Sequence, residues 1–126
     1  MHENQLAGLV MTAAFRVHTA LGPGLLEAVY EGALLHELRK AGLRVASQVA
    51  LPVIYDGVKL ADVGYRLDLL VEDKLILELK SIEALAPIHI KQLLNYLKLS
   101  HLRLGLLINF NVISLKDHIH RVVDNL

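Results

Sequence analysis

Residues 64–80 read Gly-Tyr-Arg-Leu-Asp-Leu-Leu-Val-Glu-Asp-Lys-Leu-Ile-Leu-Glu-Leu-Lys. Two apolar runs flank the polar triplet Glu72-Asp73-Lys74, which predicts two antiparallel strands joined by a tight loop. Asp68, Glu78 and Lys80 interrupt those runs. Asp68 and Glu78 sit symmetrically about Asp73. A three-residue loop therefore sets Asp68 opposite Glu78 and Arg66 opposite Lys80, with opposed Cβ atoms about 5 Å apart. A two-residue loop would pair Asp68 with Leu77 and mix polar with apolar on each face, so alternation selects the first register.

That register opposes acid to acid and base to base. Like charges across a ladder are destabilising. Diagonal contact between Asp68 and Lys80 relieves part of the repulsion, and a bound divalent cation relieves more. Paired carboxylates suit Mg2+ or Mn2+, hard ions that take oxygen ligands and keep several waters. Such an ion polarises a phosphodiester and lowers the pKa of a bound water. Lys80, on the face of Glu78, can orient that water or offset charge on the phosphate, and the Leu79 carbonyl can reach the ion. The plainer alternative is a solvated sheet face with ordinary ion pairs.

Upstream, Val45, Ser47, Val49, Leu51, Val53 and Tyr55 alternate onto one strand face, and Pro52 marks an edge strand. Asp56-Gly57 is a hairpin turn signal. It leads into a strand from about Val58 to Val71, with Ala61, Val63, Tyr65, Leu67, Leu69 and Val71 on one face. Further back, Leu6, Leu9, Val10, Ala13, Val17 and Leu21 follow a helical period, stopped by Gly22-Pro23-Gly24. A second helix runs from near Leu25 to Gly42, a C′ glycine. Gly24, Glu27 and Tyr30 share one side of it. Taken alone, Glu27 reads more simply as a first-turn acid complementing the helix dipole, and Tyr30 as core.

Downstream, Pro87 opens a third helix with the apolar stripe Ile90, Leu93, Leu94 and Leu97. Beside it runs a polar-tipped stripe of His89, Gln92 and Tyr96, either a half-buried interface or groups that hydrogen-bond a phosphate or a metal-bound water. Leu104–Phe110 is almost wholly apolar, as in a strand buried on both faces. It should lie parallel to the strand ending at Lys80, through a right-handed crossover. Ser114 and Asp117 resemble a capping box and predict a short C-terminal helix. The expected architecture is α/β, a mixed four-stranded sheet flanked by helices, in one domain over residues 1–126.

The chain has 126 residues, no cysteine, and thirteen basic against thirteen acidic residues. The missing cysteines exclude disulfides and thiolate metal sites and suit a reducing cytoplasm. No apolar run is long enough to span a membrane, and the N-terminal segment, with Glu3 ahead of it, does not read as a signal peptide. Neutral charge argues against a surface that coats nucleic acid. Hydrophobic residues make up 54% of the chain, more than a small domain can hide, which predicts a homo-oligomer.

Gly24-Leu25-Leu26-Glu27-Ala28-Val29-Tyr30 resembles the signature of the GxxExxY proteins, a group within the PD-(D/E)XK nuclease superfamily. The likeness continues through Gly64–Leu70, Glu78-Leu79-Lys80, His89 with Gln92–Leu97, and Leu106–Asn111. It departs from the family pattern at Ile90, where an acid commonly follows the histidine, and near His118, where a glycine is usual. The resemblance implies an αβββαβ nuclease core. It assigns Glu27, Asp68 and Glu78 as metal ligands, Lys80 as the catalytic lysine, and Gln92 and Tyr96 as a helix motif of exonuclease-like branches. The implied function is Mg2+- or Mn2+-dependent hydrolysis of nucleic acid, with DNA ahead of RNA. The competing expectation is a non-enzymatic assembly protein that keeps the fold and self-associates through its apolar surface.

Overall fold

The structure is a computed structural model that describes the backbone of residues 1–126 and all side chains except those of residues 61–63. Its elements are α1 (Glu3–Leu21), α2 (Glu27–Lys40), β1 (Val45–Tyr55), β2 (Val58–Val71), β3 (Leu75–Lys80), α3 (Pro87–Ser100), β4 (Leu104–Asn109) and β5 (Ile119–Val123). The strands form one sheet in the order β1-β2-β3-β4-β5. Only β3 and β4 pair in parallel, as the helical crossover requires.

Local chemistry explains most boundaries. The His2 imidazole and the Gln5 amide cap the start of α1 reciprocally. Gly22 and Gly42, at φ of +68° and +88°, end the first two helices in a conformation that costs glycine nothing. Pro87 is the first residue of α3. Asp56 and Gly57, both at positive φ, form the two-residue turn between Tyr55 and Val58, a geometry whose twist matches that of the flanking strands.

Two expectations are corrected. The sheet has five strands, not four, because residues 119–123 form β5 against β4 where a short helix was expected. The Lys116-Asp117 segment is only a turn. Without β5, β4 would expose a row of unpaired backbone groups along its outer edge. Pairing Ile108 with Ile119 through to Leu104 with Val123 satisfies them, and that outweighs a local helix-start signal.

The second correction concerns the long hairpin. Its odd-numbered side chains do not stay on one face. Val45, Leu69 and Val71 pack with α1 and α2, whereas Leu51 and Leu67 pack with α3. The change falls at Gln48, which has a φ of +51° and, with Asp68 facing it, drops out of the β1–β2 ladder between the Ser47–Leu69 and Val49–Leu67 pairs; a separate register shift lies further out, between Pro52 and Ile54. Ala61 and Val63, assigned to the same face, lie outside the described side chains.

Helices cover both faces of the sheet. Leu6, Val10, Ala14, Tyr30, Leu34 and Leu38 of α1 and α2 pack on Leu75, Leu77, Leu104, Leu106 and Phe110. On the other face, Leu93 and Leu97 of α3 pack on Ile76, Leu107 and Val122. Gly105 lets α3 sit close. A Cβ there would lie 2.8 Å from Leu93 Cδ1 and 2.9 Å from its Cγ. Gly105→Ala should therefore destabilise the protein by about 1–3 kcal/mol, read as a lower Tm, with part of the loss recovered by Gly105→Ala/Leu93→Val. An unchanged Tm in Gly105→Ala would show that α3 yields freely.

Candidate active site

The β2–β3 ladder pairs Val71 with Leu75, Leu70 with Ile76 and Leu69 with Leu77, around the three-residue loop Glu72–Lys74. Glu72 and Asp73 take φ of +52° and +54° to close it. Continued one step, this register sets Asp68 against Glu78. There the backbone ladder stops and the side chains take over. The Asp68 N–H donates to Glu78 Oε1 at 3.2 Å, and the Leu79 N–H donates to Asp68 Oδ2 at 2.8 Å. The acids thus cross between diverging strands, each carboxylate accepting from the opposite backbone. The ladder stops short of Arg66 and Lys80, and the Arg66 guanidinium turns to β1, donating to the Gln48 carbonyl at 3.2 Å. No ion pair joins Lys80 to Asp68 or Glu78 among the described residues.

Glu78 is the most strongly perturbed acid. It is only 7% exposed. Burial first, and the neighbouring Asp68 charge second, push its pKa up to about 8, against the opposing pull of the Asp68 N–H and of Lys80. Desolvation disfavours the charged form, and a like charge beside it does so again. Leu79 has its side chain in the core under α1 and α2 and its N–H on Asp68, so it can offer the site only its carbonyl.

α2 brings Glu27 to the same place. The turn before it is braced by Tyr30, which is fully buried and stacked on Phe110 at 4.6 Å. The Tyr30 hydroxyl donates to the Gly22 carbonyl at 2.6 Å and accepts from the Leu25 N–H at 3.1 Å. Ser81, next after Lys80, donates its hydroxyl to the Leu25 carbonyl at 2.6 Å, tying the end of β3 to the helix start. Tyr30 therefore positions the backbone that aims Glu27 and does no chemistry itself. Partial burial raises the Glu27 pKa; the Lys80 charge opposes this and the Asp68 charge adds to it. Glu27 remains on the surface, so solvent weakens this coupling.

Sequence reasoning missed Glu31. It lies one turn beyond Glu27, and its Oε1 accepts from Gln48 Nε2 at 2.8 Å. Its pKa is raised by burial, with the Asp68 and Glu27 charges acting the same way against the Gln48 hydrogen bond. The signal was present in the i, i+4 spacing that puts two glutamates on one helix face.

From the opposite face, Tyr96 of α3 is buried with a pKa pushed up to about 12, by desolvation first and then by the charges of Glu78, Tyr65 and Asp68. It is a hydroxyl donor at neutral pH. Gln92 lies one turn before it, half-buried. His89, expected in the same stripe, instead accepts the Ala86 N–H on Nδ1 at 2.9 Å and caps the helix.

Among the described residues, no three acidic or histidine side chains converge as a ready-made metal cage. The geometry explains this: Asp68 and Glu78 each turn an oxygen into the strand backbone, and Glu31 turns one to Gln48. The donor set nevertheless suits a hard cation, being carboxylate and carbonyl oxygen throughout. A cation bound between Asp68 and Glu78 would displace the Glu78 proton and offset the charge of both carboxylates.

A family model for this nuclease superfamily matches residues 4–122, from the first turn of α1 to Val122 in β5. The chain belongs to the PD-(D/E)XK nuclease superfamily. Asp68 and Glu78-Leu79-Lys80 stand in the order that the name PD-(D/E)XK spells, with Leu67 in place of the proline. No curated protein and no solved structure matches the chain. No helix among the described residues is long and apolar enough to cross a membrane.

Proposed function

We propose that this PD-(D/E)XK protein is a nuclease of the GxxExxY group that hydrolyses phosphodiester bonds of nucleic acid, DNA ahead of RNA as the expected substrate, with Mg2+ or Mn2+. The observation that carries the reading is the Asp68–Glu78 crossing, where two acids share a partly dry site and Lys80 follows two residues on. Asp68, Glu78, Glu27 and the Leu79 carbonyl are the groups that would hold the cation. A bound cation supplies Lewis acidity toward the phosphate and a water of lowered pKa. Lys80 orients the attacking water and offsets charge on the phosphate. Tyr96, held protonated, and Gln92 donate hydrogen bonds to the phosphate. Freedom from cysteine agrees with a cytoplasmic setting. The direct test is turnover of labelled DNA and RNA with Mg2+, Mn2+ or chelator, followed in parallel for wild type and a Lys80 variant.

Self-association is the second reading, favoured by a set of exposed apolar side chains. Leu9, Met11, Phe15 and Leu21 lie exposed on α1, Leu26 on the turn into α2 is 77% exposed, and Ile113 is 90% exposed. Apolar side chains exposed in such number offer area for a subunit contact. Light scattering at micromolar protein should report a dimer or larger form, and Leu26→Glu should shift it toward monomer. A monomer across the accessible concentration range would refute this reading and leave the nuclease reading untouched.

A further inference from the structure

The acid site makes use of Tyr96 but leaves the cleft beside it unexplained. Ile88, Gln92, Asn95 and Leu99 recur along one side of α3 and, with Val53, Tyr65 and Lys98, line a cleft of about 450 Å³. That size falls within the ~300–1,000 Å³ typical of small-ligand sites. Tyr65 is 43% exposed, and its ring leans on Tyr96 at a centroid distance of 5.1 Å and an angle of 45°. One aromatic ring is thus buried as a brace, and the other is held by it while open to the cleft. The Tyr96 hydroxyl also feels the Glu78 and Asp68 charges, so the cleft and the acid site meet at that residue.

We propose that this cleft takes an unpaired nucleobase adjoining the scissile phosphate, stacked on Tyr65 and read at its edge by the Asn95 amide, which makes single-stranded nucleic acid the substrate class. The proposal rests on the nuclease reading above. The wall chemistry matches a base on each side. Its flat faces need apolar or aromatic surface, which Tyr65, Ile88, Val53 and Leu99 provide. Its edge needs donors and acceptors together, which a carboxamide carries in one group. Lys98, exposed at the rim, suits a backbone phosphate. A base inside a duplex has no free face to offer and must first leave the stack.

Binding is measured first, with chelator present so that strands stay intact. A short labelled single strand and the same sequence as a blunt duplex are compared by fluorescence anisotropy. Wild type should bind the single strand more tightly. Tyr65→Ala should weaken that binding about 10- to 100-fold, the loss expected of one base–aromatic stack. Tyr65→Phe should retain it, and a fluorescent base analogue should lose its quenching in Tyr65→Ala alone. Asn95→Ala, at an exposed position that leaves the core untouched, should change the preference among bases. With Mg2+ or Mn2+, the kcat/KM of Tyr65→Ala on single strands should fall by the same factor as binding. Single-strand binding unaffected by Tyr65→Ala, a preference for the duplex, or no single-strand binding at all would each overturn the cleft assignment. The two readings separate cleanly. Cleavage lost in Lys80→Ala but untouched in Tyr65→Ala removes the cleft and keeps the nuclease. Tyr65-dependent binding without metal-dependent cleavage keeps the cleft and removes the nuclease.

Discussion

Lys80→Ala is expected to lower metal-dependent cleavage by at least about 10²–10³-fold, the usual loss when a preorganised charge stabiliser is removed from an active site. The substitution is the cleanest available in this site. Lys80 is half-buried, and no described acid holds it in an ion pair, so its removal should leave the thermal midpoint nearly unchanged. Alanine at the acids is less clean. Asp68 Oδ2 is the acceptor for the Leu79 N–H and Glu78 Oε1 that for the Asp68 N–H, so truncation strands a backbone donor at a cost of about 1–3 kcal/mol. Asp68→Asn and Glu78→Gln keep an acceptor oxygen while removing the charge, and should abolish cleavage with the fold intact. Glu27→Ala should cost less, because the exposed Glu27 can be replaced by water and Glu31 lies one turn away. Cleavage that persists in Lys80→Ala at the wild-type rate would end the assignment of this lysine and the mechanism with it.

The metal-free protein should lose stability as pH rises from about 5 to 8.5, and Glu78→Gln should remove most of that slope. The sign follows from proton binding. The Glu78 pKa is about 8 in the folded chain, against an ordinary glutamate value of 4.5. Between these values the native state holds a proton that the unfolded state has released. Its contribution is full below the unfolded pKa and is lost as pH climbs through the folded one. A shift of this size corresponds to a few kcal/mol at most. Glu27 and Glu31 shift in the same direction and steepen the wild-type curve slightly. At pH 8 without metal, both Glu78→Gln and Asp68→Asn should therefore melt above wild type. Adding Mg2+ or Mn2+ should raise the wild-type midpoint by mass action and leave Asp68→Asn where it was. Were Asp68 the partner of a structural ion pair, the signs would invert: Asp68→Asn would be destabilised, and metal would move neither protein. Melts of the three proteins at pH 5, 7 and 8.5, with chelator and with metal, separate these outcomes.

Much of this architecture is local and could be read residue by residue. Alternation about Asp73 set the β2–β3 register, because a one-residue slip would carry side chains to the opposite face and take Asp68 and Glu78 off the one they share. Asp56-Gly57, Gly42 and Pro87 act through their own backbone preferences, so the hairpin turn, the end of α2 and the start of α3 appeared where those residues predicted them. The placing of Asp68, Glu78 and Lys80 near one another follows from that register alone. Other features depend on partners distant in sequence. Ser114 and Asp117 carry a helix signal, but the open edge of β4 recruits residues 119–123 as a strand. The odd-numbered side chains of the hairpin change sides at Gln48, because two separate helical layers must both be filled. Glu31 acquires its place only when α2 docks over Gln48, and His89 is drawn into capping its own helix. The basicity of Glu78 is the clearest case. Its position was legible in the sequence, but its pKa depends on how much water the surrounding side chains and α3 exclude and on how close the Asp68 charge is held. Desolvation and Coulomb repulsion are sums over the packed structure, and only the tertiary fold decides them.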